Sequence, residues 1–411
     1  MTSILTKRIA SRVDDIQPFR VVEVLSRAKE LESLGHDVVH MQAGEPDFAT
    51  AEPIVEAGVS ALRNGATYYS GASGLWELRE AIAAFYLSDY GVTVDPKRIM
   101  ITPGASGALL LIAALLVDAG DKILLADPGY PCNRNFMRLV EGEGQLVPVS
   151  ADDNFQLNAE LVSRHWCSDK EGKTVGALVA TPANPTGTVI SKPELEALHR
   201  EIDSRGGSLI VDEIYHGLDF RDESGQRSVH SILEITDDAF VINSFSKYFG
   251  MTGWRLGWLV APPWACPALD KLAQNLFISM STMAQYAALK CFETPTRAIL
   301  DQRRDEFKRR CDFLLPALRD LGFIIPQAPE GGLYIYADIS QFLDDNNPAG
   351  KGFGKNSQEF CLTLLEEHGL AITPGADFGH FQCDKYVRFA FTTSMDRLIV
   401  AVDRMRAIFT N

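Results

Sequence analysis

Ala239-Phe240-Val241-Ile242 leads into Ser244-Phe245-Ser246-Lys247, and Gly253-Trp254-Arg255-Leu256-Gly257 follows shortly after. The apolar run predicts a buried strand, which places Lys247 just past the carboxyl end of that strand. In open α/β sheets, ligands bind at this edge. A lysine among apolar neighbours loses its proton readily and suits Schiff-base formation, while the serine hydroxyls and the forked cation of Arg255 suit a phosphate. The alternative is a surface loop with an ordinary lysine.

Around this stretch the sequence alternates short apolar runs with helical patterns. Such a pattern predicts a mainly parallel sheet covered by helices on both faces. The predicted strands are Arg98–Thr102, Lys122–Ala126, Gln145–Val149, Gly176–Ala180, Ser208–Val211, Ala239–Ile242 and Gly257–Val260. The predicted helices include Leu75–Tyr86, Ala105–Val117, Cys132–Val140 and Lys192–Ile202.

Beyond residue 265 the pattern changes to long helical stretches and then to a mixed region. We predict helices at Ala268–Phe292 and Arg297–Leu321, strands at Gly332–Asp338, Leu370–Thr373 and Tyr386–Phe391, and a loop at Asn346–Lys355. The fold class is therefore α/β. A large domain with a mainly parallel seven-stranded sheet, residues 45–295, is expected beside a smaller α+β domain formed by residues 1–44 and 296–411.

Composition narrows the range of functions. The 411 residues are 46% hydrophobic, enough for a large core, and carry a net charge of −15, which argues against a nucleic-acid or anionic-membrane surface. The seven cysteines are scattered without a C-x-x-C pair, so we expect reduced thiols and no metal site. The N-terminus lacks an apolar segment long enough for a secretory signal, and the apolar run from Ala108 to Val117 is too short to span a bilayer. A soluble cytoplasmic protein is expected.

Polar residues follow several of the predicted strands. Gly104-Ala105-Ser106 opens a helix after a strand, where free backbone N–H groups and the helix dipole favour a phosphate, although glycine-rich turns are common at such points. Asp212 follows a buried strand in Asp212-Glu213-Ile214-Tyr215, where a carboxylate needs a cation or donors, or else caps a helix.

Three further residues are candidates for a binding site. Asn184 lies in the predicted rigid turn Asn184-Pro185-Thr186-Gly187. This turn either directs the side-chain amide into a cleft or is an ordinary turn with no role in binding. Tyr130 follows another strand and is either a stacking surface or a rim tyrosine. Arg388 alternates with apolar neighbours in its strand and is therefore either solvated or placed to bind an anion.

Taken together, these motifs resemble the class I and II aminotransferases, fold type I enzymes that use pyridoxal 5′-phosphate (PLP). The order Asn-Pro-Thr-Gly, Asp-x-x-Tyr and Ser-x-Ser-Lys, with an arginine eight residues after the lysine, is jointly specific, and the match runs from Gly44-Glu45-Pro46-Asp47-Phe48 to Arg388. The resemblance implies a PLP-dependent transaminase that works by a ping-pong mechanism.

The resemblance also assigns roles. Lys247, Asp212 and Tyr215 would be catalytic, with Lys247 as the Schiff-base lysine and Asp212 on the pyridinium nitrogen. The PLP-binding set would be Gly104, Ala105, Ser106, Tyr130, Asn184, Asp212, Tyr215, Ser244, Ser246, Lys247 and Arg255, completed by Tyr69 from a neighbouring subunit. This implies a homodimer with shared active sites. The substrate would contact Gly44, Tyr130, Asn184 and Arg388, with Arg388 on its α-carboxylate.

The substrate is less well determined by the sequence. Ser106 offers no charge for an acidic side chain, and Arg20 is interpreted as a solvated residue at a helix start rather than a second cation. Phe19, Tyr68 and Tyr334 suit either an aromatic pocket or core packing. A neutral or aromatic amino donor is favoured, with aspartate as an alternative and 2-oxoglutarate or pyruvate as acceptor. We interpret His216 as a supporting or packed surface residue.

Two other function classes are left open. A carbon–sulfur β-lyase or decarboxylase would share the same cofactor residues. A PLP-binding transcriptional regulator would need a DNA-binding module ahead of Gly44, where about 43 residues are present, and the acidic charge opposes DNA contact.

Overall fold

A computed structural model describes residues 8–169, 172–220, 227–344 and 352–409 of the chain. Its helices are α1 Arg20–Ser33, α2 Glu52–Arg63, α3 Trp76–Tyr90, α4 Gly104–Leu116, α5 Cys132–Leu139, α6 Ala159–His165, α7 Lys192–Asp203, α8 Cys266–Leu276, α9 Thr282–Leu289, α10 Thr294–Asp320, α11 Ser357–His368 and α12 Met395–Phe409. Its strands are β1 Val39–His40, β2 Ile99–Thr102, β3 Lys122–Asp127, β4 Glu143–Pro148, β5 Thr174–Ala180, β6 Ser208–Asp212, β7 Phe240–Ser244, β8 Gly257–Val260, β9 Tyr334–Asp338, β10 Leu370–Ala371, β11 Thr373–Pro374 and β12 Tyr386–Ala390.

The central sheet has seven strands in the order β2-β8-β7-β6-β5-β3-β4. Only β8 runs antiparallel to its neighbours, so the predicted mainly parallel α/β sheet is confirmed. Ala180 pairs with Asp212, and Asp212 pairs with Ile242, so β5, β6 and β7 end side by side. Their carboxyl ends therefore bring together residues that are far apart in sequence.

Apolar side chains cover both faces of this sheet, because successive residues of a strand point to opposite sides. Ile210 packs on the face covered by α4 and α8, in a cluster that includes Phe240. Val211 and Val241 point to the other face, where they join the largest core cluster. The apolar run at Ala108–Val117 lies in and just after α4 as a core helix, as its length predicted. Within the described residues, no helix combines the length and apolar character needed to cross a bilayer.

The chain's two ends meet outside this sheet. The N-terminal strand β1 pairs in parallel with β10, and β11, β12 and β9 form a three-stranded antiparallel sheet. This pairing agrees with a second unit built from both ends of the chain, although the boundaries at residues 44/45 and 295/296 stay predictions.

Two predicted elements are wrong in detail. The stretch predicted as one helix over Ala268–Phe292 is divided into α8, α9 and a short 3₁₀ turn. The chain breaks because Ile278 adopts a left-handed φ of 65° and the Ser281 side chain caps α9 by accepting the N–H of Ala284. The strand predicted at Leu370–Thr373 is interrupted at Ile372, because β10 and β11 pair with different sheets. Residues 346–351 of the predicted loop Asn346–Lys355 lie outside the described residues.

Candidate active site

A cavity of about 350 Å³ opens at the carboxyl ends of β5, β6 and β7. It collects the predicted site residues from segments spread over most of the chain. The predicted residues that line it are Gly44, Ala105, Ser106, Tyr130, Asn184, Asp212, Tyr215, Ser244, Ser246, Lys247, Arg255 and Arg388.

Lys247 projects into this cavity, so its interpretation as an ordinary surface lysine is wrong. Its Nζ donates to the backbone carbonyl of Gly44 at 2.6 Å and lies 5.8 Å from the centre of the Tyr215 ring. The amine is therefore held at a fixed place between the N-terminal segment and the end of β6.

One end of the cavity gathers groups that favour an anion. The Ser244 hydroxyl donates to the Ser246 hydroxyl at 3.0 Å, and Arg255 lines the same end. A Cβ on Gly104 would lie 2.7 Å from Nη2 of Arg255, and one on Gly257 would lie 2.9 Å from the backbone nitrogen of Ala105. Because both positions lack a side chain, the arginine and β8 can approach the N-terminus of α4 closely. Hydroxyls, a guanidinium and a helix N-terminus together suit a phosphate group.

Asp212 supplies a buried carboxyl group to the same cavity. Burial raises the pKa of Asp212 to about 7, while the backbone N–H of Ile214 and the nearby Lys247 favour its ionised form. Residues 213 and 214 lead into a turn rather than an α-helix, so the interpretation of Asp212 as a helix cap is wrong. A buried carboxyl group with few protein donors is suited to a cationic ring nitrogen.

Arg388 lies at the opposite end and is only 3% exposed, so its interpretation as a solvated residue is wrong. Its Nη1 donates to Asn184 Oδ1 at 2.8 Å, and its Nη2 donates to the carbonyl of Gln42 at 2.6 Å. Its Nε has no hydrogen-bond partner among the described residues. A buried guanidinium with a free donor is equipped to bind a carboxylate.

Aromatic residues connect these two ends. The hydroxyl groups of Tyr215 and Tyr334 lie 2.8 Å apart, and burial raises the pKa of Tyr215. Tyr130 packs edge-on against Phe19, and burial also raises its pKa. Phe19 and Tyr334 thus line the cavity, whereas Tyr68 does not.

Several residues weighed from the sequence lie outside the cavity wall. Tyr69 is 81% exposed and shares a separate surface depression with Tyr68. Arg20 begins α1, as interpreted, and its guanidinium contacts Gln358 rather than the cavity. Gly104 does not line the cavity itself but lies against Arg255.

His216 is 2% exposed, so its interpretation as a surface histidine is wrong. Its Nδ1 lies 2.9 Å from the Tyr90 hydroxyl and 3.4 Å from the Glu213 carboxylate. Burial lowers the pKa of His216 to about 3 and raises that of Glu213 to about 8. This buried pair supports the turn after Asp212 without reaching the cavity.

Sequence reasoning missed some residues of the cavity wall. Val21, Val22, Leu25, Leu109 and Ile214 give it an apolar side. Glu45 and Thr252 also line it and hydrogen-bond each other at 2.7 Å. Glu45 lies within the quoted Gly44-Glu45-Pro46 motif, which was the one sequence signal available for it. Val21, Val22 and Leu25 carried no such signal, because only tertiary folding brings α1 to the cavity.

The donor set fits PLP. The groups around Arg255 suit its phosphate, the buried Asp212 suits its ring nitrogen, and Lys247 brings to the same cavity an amine that could bond an aldehyde carbon. Within the described residues, no group of three or more His, Cys, Asp or Glu side chains is arranged to hold a metal ion.

Comparisons with known proteins agree with this geometry. The model of the family "Aminotransferase class I and II" matches residues 36–405. The chain is 37% identical over 387 residues to a valine–pyruvate aminotransferase of Mycobacterium tuberculosis, covering 94% of this chain and 95% of that protein. It is 33% identical over 397 residues to an aspartate aminotransferase of Thermotoga maritima, covering 97% and 98%. A solved structure of an aminotransferase from Mycobacterium tuberculosis superposes with a TM-score of 0.90 at 36% identity, covering 98% and 100%.

Proposed function

The chain belongs to the class I and II aminotransferases, and from this premise we propose that it uses PLP to move the amino group of a neutral or aromatic L-amino acid to a 2-oxo acid. One observation carries the proposal. Lys247, Asp212 and Arg388 meet in one cavity, with an amine for the cofactor aldehyde, an acid for its ring nitrogen and a cation for a carboxylate.

Each residue has a defined task in this proposal. PLP supplies an electron sink for the charge that develops at the substrate α-carbon. Ser244, Ser246, Arg255 and the N-terminus of α4 hold the phosphate, and Asp212 keeps the ring nitrogen protonated. With the cofactor bound, Lys247 would act as the general base that takes the proton from the substrate α-carbon and as the acid that returns it.

Substrate orientation falls to the other end of the cavity. Arg388 binds the α-carboxylate, and Asn184 fixes Arg388 through its side-chain oxygen. Tyr130 would lie against the ring of the bound cofactor, and Tyr215 would donate a hydrogen bond to its phenolic oxygen. Release of the first oxo acid before the second binds makes the reaction ping-pong.

The cavity wall supports a neutral side chain. Five apolar residues line it, and its cations are Lys247, Arg255 and Arg388, all of which already have tasks. The acid Glu45 also lines the wall and would repel a second carboxylate on the substrate. One relative is named for valine and another for aspartate, and an apolar side chain such as that of valine suits this wall better than an acidic one.

The surface around Tyr69 supports a homodimer. Tyr68 and Tyr69 are 84% and 81% exposed and line a depression of about 980 Å³ together with Tyr286. Clustered exposed aromatic residues favour a protein interface. We expect Tyr69 to complete the phosphate site of the partner subunit.

Complementation tests this arrangement. Co-expressed Lys247→Ala and Tyr69→Ala subunits should form hybrid dimers with one intact site, giving about a quarter of wild-type activity from two nearly inactive parents. If Tyr69 served its own subunit, the hybrids would recover nothing above the parents.

A half-reaction screen tests the activity itself. The PLP-loaded protein is mixed with single amino acids and no acceptor, and the absorbance of the lysine-bound cofactor is followed. One stoichiometric loss with neutral or aromatic amino acids supports transamination. Repeated release of ammonia or CO₂ would show a lyase or decarboxylase, and no loss with any amino acid would overturn the proposal.

A further inference from the structure

Tyr334 lies between the two ends of the cavity and is only 2% exposed. Its ring lies against the guanidinium of Arg388, with 4.1 Å from Cζ to the ring centre. Its hydroxyl lies 2.8 Å from that of Tyr215. We propose that Tyr334 is a positioning residue that orients the carboxylate-binding arginine with its ring and the cofactor-binding tyrosine with its hydroxyl. This inference rests on the function proposed above.

The ring acts on Arg388 from one face. Phe378 lies on the guanidinium as well, with 4.8 Å from Cζ to its ring centre. Asn184 and the carbonyl of Gln42 accept from the two terminal nitrogens. Contacts between a buried guanidinium and aromatic rings are stronger than exposed ones. The two rings hold the plane of the guanidinium, and the two acceptors fix its rotation within that plane. The Nε–H group is therefore already oriented before a carboxylate binds.

The hydroxyl acts on Tyr215. Only one proton can lie between two phenol oxygens, and when Tyr334 donates it, Tyr215 keeps its own proton for a second acceptor. A hydroxyl that accepts a hydrogen bond is polarised and becomes a better donor. Tyr334 thus strengthens the bond from Tyr215 to the phenolic oxygen of PLP.

The chain makes room for this hydroxyl at Gly44. A Cβ at that position would lie 1.7 Å from the Tyr334 oxygen. The same glycine accepts from Lys247 through its carbonyl. Gly44, Tyr334 and Tyr215 are therefore packed as one unit around the amine.

Two substitutions separate the two tasks. Tyr334→Phe removes the hydroxyl and keeps the ring, whereas Tyr334→Leu removes both. A matched control is Tyr336→Phe, on the same strand, whose hydroxyl is buried without a hydrogen-bond partner among the described residues and whose ring stacks on Tyr386. Each protein is loaded with PLP and compared with wild type in kcat, KM for the amino acid, and the pH midpoint of the cofactor absorbance.

We expect Tyr334→Phe to raise the pH midpoint by about 0.5–1 unit, the effect of one neutral hydrogen bond, and to leave KM within about twofold. We expect Tyr334→Leu to shift the midpoint equally and to raise KM by a further factor of about 5–30, the effect of one buried cation–π contact. The control should change neither quantity.

An unchanged midpoint in Tyr334→Phe would refute the proposal that the hydroxyl acts on Tyr215. Equal KM values in the two variants would refute the proposal that the ring orients Arg388. Should Tyr334→Leu fail to fold, the Tyr334→Phe midpoint still decides whether the residue acts through Tyr215. The proposed function is judged separately, on wild-type transamination, so its failure is distinct from a failure of this inference.

Discussion

Replacing Arg388 by lysine would test how the protein recognises an amino acid. The guanidinium is buried at 3% exposure, two of its nitrogens are bound by Asn184 and Gln42, and the rings of Tyr334 and Phe378 lie within 4.8 Å of its Cζ. Arg388→Lys keeps the positive charge and removes the forked geometry. It therefore isolates the part of binding that depends on orientation.

The structure sets the size of the effect. Losing one of two charge-assisted hydrogen bonds to the carboxylate costs about 1.5–3 kcal/mol, and losing the ring contacts costs about 0.5–2 kcal/mol. A total of about 2–5 kcal/mol corresponds to a loss of about 30- to 5,000-fold in kcat/KM. The loss should apply to amino acids and 2-oxo acids alike, because both carry the carboxylate.

The assay is the single-turnover absorbance change with an amino acid and with the amine that lacks its carboxylate. The amine should react equally well, within about threefold, with both proteins, since it never used the missing hydrogen bond. A matched control is Arg310→Lys, which changes another arginine at 3% exposure that is paired with Asp47 at 2.8 Å and does not line the cavity. Equal losses for the amine and the amino acid, or the same loss in the control, would refute this account of Arg388.

Three further changes test other parts of the site. Lys247→Ala should abolish turnover and retain weaker PLP binding through the phosphate groups, checked by activity and by fluorescence titration; appreciable multiple turnover would contradict the role of the amine. The stability of Glu213→Gln relative to wild type should increase as pH rises from about 4.5 to 8. Burial raises the pKa of Glu213 to about 8, so the native carboxyl group stays protonated where the unfolded one ionises, and wild type loses stability that the glutamine variant keeps. Melting temperatures at several pH values measure this, and a difference between the two proteins that is independent of pH would count against it. Gly44→Ala should reduce activity at least tenfold, because its Cβ would lie 1.7 Å from the Tyr334 oxygen, whereas Gly253→Ala, with nothing within 4 Å, should retain activity.

Much of the large sheet could be predicted from local sequence. Each of its seven strands lies within two residues of its predicted bounds. All but the edge strand β4 are short, largely apolar runs, because burial on both faces leaves a continuous apolar signal. Prediction failed where the outcome depends on partners far away in sequence. Leu370–Thr373 reads as one strand, yet its halves join β1 and β12.

The candidate site shows the same division. Lys247 and Asp212 were predicted from residue type and position at strand ends, and Arg388 from its place among apolar neighbours within a strand and from the family resemblance. The structure brings the three to one cavity. The apolar wall from α1 was not predicted, because nothing in the local sequence of α1 indicates that this helix lies beside the carboxyl ends of the sheet. Tyr334 was left between aromatic pocket and core packing, and the structure shows a residue that is both buried and in the cavity wall.

Two aspartates with similar local sequence have different surroundings in the folded protein. Asp127 ends β3 as Asp212 ends β6, and both are buried carboxyl groups after apolar strands. In the folded chain Asp127 accepts the backbone N–H groups of His380 and Phe381, whereas Asp212 enters the cavity near Lys247. The sequence by itself determined the strands of the large sheet, the polar residues that follow them and the family. The family resemblance assigned Asp212 to the site, but the physical difference between the two aspartates exists only in the tertiary structure, because the donors that satisfy one carboxylate and leave the other for a ligand come from distant segments.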